Sequence, residues 1–349
     1  MASHPSSAVT SVRSKPDSRV VAITGACGFI GSELIRRLEE DHRYSLVLAF
    51  DIRKPSFPLS KTQFHKIDLT LPGADAEIAS VLDREKADTF VHAAFLSNPT
   101  HQSAWAHELE NIGTIQALNA CSEHRIARFV LWSLTACYGA RATNPNFLRE
   151  SADLRGHPGS RAITDRIEAE KEARRFRKEN PGTTVTVLRT ANILGPRIRN
   201  FIGRFLSRPA APVLMGWDPL MQLVHEDDVI DAFKIAVDGP TGDDAGFDGE
   251  LNIVGEGVLP YTTILAMLGR IPLPMPHFVA YPMSRLLWMT QVFDAPPSFL
   301  EFLRYLCVAD GDKARRVMGF EPRFDIKSII LDFLGMPSQA EEFAPAGRM

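Results

Sequence analysis

A short apolar run at 20–24 leads straight into Gly25, Ala26, Cys27, Gly28, Phe29, Ile30 and Gly31, and from there into a helix-like stretch. Glycines at these spacings let a chain turn tightly and come close to a pyrophosphate. The helix that follows turns free N–H groups and the positive end of its dipole toward the phosphates. Gly31 also lets that helix lie close on its strand. A glycine triplet alone is a weak signal; set between strand and helix it points to a bound dinucleotide. Asp51 closes the next apolar run, 20 residues beyond Gly31. A carboxylate there accepts from both hydroxyls of the adenosine ribose and repels a 2′-phosphate, which selects NAD. Arg53, two residues on, keeps NADP as the alternative. Asp68, after a third run, is placed either to meet the adenine amino group or to cap a helix.

The elements that must hold this loop follow from the alternation of apolar runs with amphipathic stretches. Strands are expected at 20–24, 46–51, 63–67, 89–92, 129–133 and 184–188, and helices at 29–40, 75–84, 105–123 and 162–179. Buried strands with helical crossovers make an α/β fold, a Rossmann-type doubly wound parallel sheet. The last helix stops at Asn180-Pro181-Gly182. Beyond Gly195-Pro196, proline and glycine become frequent and strand candidates are few, at 221–224 and 250–253. The expected organisation is a disordered tail at 1–18 and a dinucleotide-binding domain at 19–190. A smaller substrate lobe follows at 191–335, some of its elements returning to the sheet, and then a frayed tail at 336–349.

Bulk properties exclude several classes. A net charge of −3 without any run of five like charges leaves no clustered basic surface for nucleic acid. The four cysteines, Cys27, Cys121, Cys137 and Cys307, are scattered without a C-x-x-C pair. That suits thiols in a reducing, cytoplasmic compartment and argues against a disulfide framework or a metal site. Residues 1–18 lack the apolar core of a secretory signal. The longest apolar stretch, 273–293, is broken by three prolines, His277 and Arg285, so no transmembrane segment is expected. Segment 273–305 is a weak candidate for resting on a membrane surface, because its polar face is not basic.

The motifs then spell out a family. Thr24-Gly25-x-x-Gly28-Phe29-x-Gly31, Asp68-Leu69-Thr70, His92-Ala93-Ala94, Asn111-x-Gly113-Thr114 and Phe129-Val130 through Tyr138-Gly139 occur in order. They continue with Leu188-Arg189-x-x-Asn192 through Gly195-Pro196, Val224-His225-x-x-Asp228, Asp312-Lys313-Ala314-Arg315 and Gly319-Phe320-x-Pro322. From residue 20 to 322 the chain resembles the extended short-chain dehydrogenase/reductases, the NAD-dependent epimerase/dehydratase group. The resemblance implies cofactor contacts at Gly25, Cys27, Gly28, Phe29, Ile30, Gly31, Asp51, Arg53, Asp68, Leu69, Ala93, Ala94, Asn111 and Arg166.

It also implies a Ser/Thr–Tyr–Lys active site, with tyrosine and lysine four residues apart on one helical face. Lysine and the oxidised nicotinamide would lower the tyrosine pKa so that it serves as general base. None of the five tyrosines (Tyr44, Tyr138, Tyr261, Tyr281, Tyr305) has a lysine four residues on. Aligned on Glu170, the lysine position holds Arg166 and the tyrosine position Ala162; aligned on Tyr138-Gly139, the serine/threonine position holds Leu134. Arg166 keeps a charge for the nicotinamide ribose but, with a pKa above about 12, is no base. Thr135, Ser133, Thr164 and Asp165 are the nearest substitutes in sequence, and His157 sits in the preceding loop. For Asp165 an ordinary surface carboxylate, and for His157 an ordinary loop histidine, is the favoured reading over a catalytic one.

The second lobe bears on the substrate. Relatives that act on nucleotide sugars carry an arginine four residues before the histidine of V-H-x-x-D; here it is Met221. Asn192, which approaches a substrate phosphate in such relatives, is present and reads as well as a loop-fixing residue. Leu214, Met215, Trp217, Leu220 and Met221, with Trp288, Met289, Val292 and Phe293, make the lobe apolar, as pocket lining or as core. Asn192, Met221 and Trp217 are the candidate substrate residues. The expectation is an NAD-dependent oxidoreductase or epimerase-type enzyme on a mostly apolar small molecule with substituted proton-transfer groups. A dinucleotide-binding protein without catalysis and a nucleotide-sugar epimerase/dehydratase are the alternatives. The family pattern also implies a homodimer through helices 105–123 and 162–179.

Overall fold

Apolar runs that read as buried strands become the centre of one sheet. In chain order β1 (Arg19–Thr24), α1 (Phe29–Glu40), β2 (Tyr44–Asp51), β3 (Thr62–Lys66), α2 (Ala74–Glu85) and β4 (Thr89–His92) come first. They are followed by α3 (Ser103–His107), α4 (Gly113–His124), β5 (Arg128–Leu134), α5 (Arg161–Glu179) and β6 (Thr184–Thr190). Beyond them lie β7 (Asn192–Leu194), α6 (Phe201–Leu206), β8 (Ala210–Leu214), β9 (Leu220–Met221), β10 (Leu223–His225), α7 (Glu226–Asp238) and β11 (Gly249–Ile253). The computed structural model describes residues 19–157, 159–240, 246–291 and 295–336. The tails 1–18 and 337–349, with Val292 and Phe293, lie outside the described residues.

The sheet runs β11-β6-β5-β4-β1-β2-β3, every neighbouring pair parallel. This is the doubly wound α/β architecture, with β1 and β4 at its centre. Val21, Ala22, Ile23, Phe90, Val91, Phe129, Val130 and Leu131 are buried. Strands covered on both faces read as continuous apolar runs, not as alternation. α1 packs beside α7, and α4 packs against both α2 and α5. A second core, built from Leu194, Phe205, Leu214, Met221, Leu223, Tyr261, Ile264, Leu303 and Ile330, forms the lobe over the carboxyl ends of the strands. β11 comes from beyond residue 191 and completes the sheet edge beside β6. Among the described residues no helix is long and apolar enough to cross a membrane.

The single regular helix expected over 105–123 is interrupted. Between α3 and α4 the chain makes a π-helical turn at Glu108–Ile112. Thr114 Oγ1 bonds the Glu110 carbonyl at 2.5 Å, competing for the acceptor that a regular turn would use. The outward residues of α5, Glu168, Lys171 and Arg175, form ion pairs along the helix itself.

One buried polar network ties these layers together. Glu170 on α5, fully buried, accepts from Arg189 Nη2 on β6 at 2.7 Å and from Ser133 Oγ on β5 at 2.5 Å. Arg189 Nη1 donates to the Tyr138 hydroxyl at 2.8 Å, and that hydroxyl donates to Asn252 Oδ1 on β11 at 2.8 Å. Burial works against the Arg189 charge, yet the bonds to Glu170 hold its pKa above the ordinary arginine value. Glu170→Gln leaves Arg189 buried without a counter-charge. Urea unfolding is expected to show a loss of about 3–5 kcal/mol, against about 1 kcal/mol for Ser133→Ala. Equal losses from the two would mean that the ion pair does not organise the sheet.

Candidate active site

The glycine loop is built for close approach. Gly25 has φ +70, and a Cβ there would stand 2.6 Å from the Ala93 carbonyl oxygen. A Cβ on Gly31 would collide with the Gly25 carbonyl, so α1 and β1 meet at backbone distance. Gly28 caps α1, and no side chain bonds the helix N-terminus. Its first N–H groups are therefore left for a ligand. Asp51 accepts the Cys27 N–H at 2.9 Å and the Arg53 N–H at 3.3 Å, which fixes its carboxylate beside the loop. An uncapped helix end, a glycine cradle and a carboxylate at the next strand end fit a dinucleotide with a free ribose 2′-hydroxyl. Ala93 and Ala94 form the backbone wall against Gly25. Asp68 binds the Thr70 N–H and hydroxyl at 3.0 and 2.7 Å, closing a local turn. Leu69 is a core residue beneath Gly113.

Where the strands end, a cavity of about 210 Å³ opens between the sheet and the second lobe. Its wall includes Leu134, Thr135, Ala162, Arg166, Asn192 and Met221, so the three positions implied for catalysis come together with two of the substrate residues. Five expected residues are elsewhere. Ser133 is turned to Glu170 within the network above. Asp165 lies on another face of α5, held by His107 Nδ1 at 2.8 Å and Arg161 Nε at 3.0 Å. Trp217 packs under the Arg304 guanidinium, 4.6 Å from its ring centre, outside the cavity wall. His157 accepts the Gly159 N–H at 3.0 Å in its own loop, and burial lowers its pKa. Thr164, also outside the wall, bonds the Ser160 carbonyl at 3.1 Å.

Arg166 is wholly buried. Its guanidinium carbon lies 3.8 Å from the Phe95 ring centre and 4.7 Å from that of Trp132, and Nη1 donates to the Trp132 carbonyl at 3.2 Å. Burial lowers its pKa, partly offset by Glu110, whose Oε1 is 3.8 Å from Nη2. The expected cofactor residue Asn111 does not line the cavity; its neighbour Glu110 does. The π turn re-phases the helix here, and a signal existed in the sequence. Glu110 falls on the stripe Ala106, Gly113, Thr114, Ala117 that the helix buries, where a carboxylate is out of place without a partner.

Comparison with known proteins agrees with this geometry. Residues 21–252 match the model of the NAD dependent epimerase/dehydratase family. The chain belongs to that family. An uncharacterised protein of Mycobacterium tuberculosis is 30% identical over 314 residues, spanning 88% of this chain and 81% of that protein. A Bacillus subtilis protein described as an uncharacterised UDP-glucose epimerase is 28% identical over 197 residues, 51% of this chain and 58% of that one. Among solved structures, MoeE5 in complex with UDP-glucuronic acid and NAD superposes with a TM-score of 0.67 at 23% identity, covering 92% of this chain and 98% of that one. A UDP-glucose 4-epimerase from Thermotoga maritima gives a TM-score of 0.67 at 18% identity, over 90% and 97% of the two chains. These structural likenesses establish the fold.

Gly31→Ala forces α1 off β1 and closes the cradle. Calorimetric titration with NAD is expected to show affinity reduced by more than about tenfold, a loss above 1.4 kcal/mol. Unchanged affinity would place the dinucleotide elsewhere.

Proposed function

We propose that the protein is an NAD-dependent enzyme of the oxidoreductase or epimerase type, acting on a mostly apolar small molecule with proton-transfer groups other than Ser/Thr–Tyr–Lys. The observation that carries this reading is the cavity wall. Ile163, Ile193, Ile198, Phe201, Met221 and Phe299 surround the positions where Ala162, Leu134 and Arg166 replace the family's reacting groups. NAD on the glycine loop would supply the hydride acceptor. Gly25, Gly28 and Gly31 hold the pyrophosphate end and Asp51 the ribose.

A nucleotide sugar is the less favoured substrate. Its diphosphate needs charge-assisted donors, and among the described residues of the wall Arg166 is the one cation. Arg166 already faces Glu110, while Met221 stands where nucleotide-sugar relatives carry arginine. Asn192 Nδ2 donates to the Gln222 carbonyl at 3.1 Å, a loop-fixing bond. The second reading, a dinucleotide-binding protein without catalysis, is favoured by Ala162 and Leu134, which transfer no protons.

Two measurements separate these readings. Dinucleotide released from purified, denatured protein is expected to be NAD, with NADP bound at least about tenfold more weakly, a difference that Asp51→Asn narrows. Nicotinamide absorbance and product formation are then both followed with a panel of aryl, alicyclic and steroid alcohols, the matching ketones, and UDP-sugars, because an epimerase or dehydratase returns its hydride and leaves no net absorbance change. Turnover confined to the apolar members supports the enzyme reading. Turnover of UDP-sugars alone overturns the substrate class, and a bound dinucleotide with neither redox change nor product from any member favours the binding protein.

A further inference from the structure

Apart from Arg166, Glu110 is the one ionisable acid–base side chain among the described cavity-lining residues that is neither a thiol nor engaged in the Glu170 network. It is 1% exposed. Oε1 accepts the Leu96 N–H at 2.9 Å, which anchors the carboxyl to the loop after β4, while Oε2 has no hydrogen-bond partner. Arg166, its neighbour, likewise leaves Nε without one. Unpaired buried polar atoms are costly and uncommon, and two in facing groups of one cavity wall call for an explanation. The segment that carries Glu110 is the π turn, a helix irregularity found frequently at functional sites.

We infer that Glu110 takes up and returns the substrate's proton in this cavity, with the Arg166 guanidinium balancing the charge that the transfer leaves behind. The inference rests on the enzyme reading above and supplies the group that Ala162 and Leu134 lack. In the step, the O–H bond of a substrate hydroxyl breaks and its proton bonds to Glu110 Oε2. The bonding pair stays on the substrate oxygen, beside Arg166. The reverse step returns the proton to that oxygen.

The charged surroundings suit this role. Burial raises the Glu110 pKa; Arg166 and the Leu96 N–H oppose the rise, and Asp165 adds to it. Asp165 is itself paired with His107 and Arg161. His92 on β4, pushed down to about 3 by burial, is neutral and bonded to Thr24 and Thr114. A carboxyl raised toward neutrality is matched to proton transfer at physiological pH.

Difference infrared spectra of protein labelled with 13C-glutamate, wild type against Glu110→Gln, read this carboxyl without cofactor or substrate. The expected result is a protonated-carboxyl band, lost in Glu110→Gln, that titrates above the ordinary glutamate value of about 4.3. A band that titrates at or below that value overturns the inference. With NAD and the best alcohol of the panel, Glu110→Gln is expected to lower kcat by about 10²–10⁴ while NAD affinity stays within about twofold. Glu110→Asp, which keeps an ionisable carboxyl, retains part of the rate, whereas a purely structural role would make both variants fail alike. Wild-type alcohol oxidation rises with pH through the Glu110 pKa, because the base form is needed, and ketone reduction falls through it. Full turnover in Glu110→Gln would falsify the role. Wild-type protein that binds no dinucleotide defeats the enzyme reading instead, and the infrared titration still reports on Glu110 alone.

Discussion

The buried ion pair of Glu170 and Arg189 is the constraint on which the site depends. Two full charges sit in the core with no exposure at all, a situation tolerated only where each is saturated with hydrogen bonds. Glu170 takes donors from β5 and β6, and Arg189 reaches Tyr138 and the Glu150 carbonyl. The rotation of α5 about its axis is thereby fixed. Residues 162, 166 and 170 are spaced by four, so they form one stripe along that helix. With Glu170 anchored on the sheet, Arg166 and Ala162 are carried, one and two turns on, to the cavity wall.

The same pair removes candidates from chemistry. Ser133 spends its hydroxyl on Glu170, and burial pushes Tyr138 up to about 12 despite the nearby Arg189, so it stays a protonated donor to Asn252. Arginine at 166 changes the requirements of the wall. A lysine in such a place can shed its proton when desolvated; an arginine cannot. A permanent buried cation needs faces to stack on and a carboxylate within reach. Phe95 and Trp132 provide the first and Glu110 the second. Arg166 and Glu110 are therefore to be understood together: either alone would be an uncompensated buried charge.

Much of the fold was legible in the sequence, for a definite reason. The strands are interior, so each appeared as an unbroken apolar run, and the glycines at 25, 28 and 31 answer to steric limits that any side chain would violate. Local patterns report local constraints well. Ser133, Asp165 and Trp217 were placed by proximity in sequence, and the structure separates them from the cavity because partners far along the chain claim them: Glu170, His107 and Arg304. Asn111 came from the family motif, which carries no information on Glu110, and the π turn with its Thr114 side-chain bond is not revealed by periodicity. The exception is instructive: a glutamate on the buried stripe of an amphipathic helix violates the apolar pattern, and that violation was readable.

An apolar cavity gives unusual weight to the few polar groups it retains. Where water is largely displaced, a charge and a hydrogen-bond donor act through a low local dielectric and interact more strongly than on a wet surface. The wall offers Arg166, Glu110, the hydroxyls of Ser97, Thr135, Ser160, Thr190 and Ser298, and the amides of Asn98, Asn192, Asn200 and Gln222. Asn192, Asn200 and Gln222 are already bonded to the backbone at Gln222, Ile193 and Ala309. Among the described residues, buried side-chain atoms of the wall without a partner are Asn98 Oδ1 and, at the Arg166–Glu110 end, Glu110 Oε2 and Arg166 Nε. A complementary molecule would present one reacting hydroxyl or carbonyl at that end and an apolar body toward Ile198, Phe201 and Phe299. A diphosphate laid along the same wall would meet isoleucine, phenylalanine and methionine, and would lose its water without gaining donors in exchange. Met221 and Ala162 both face this wall, and both leave it apolar where they stand.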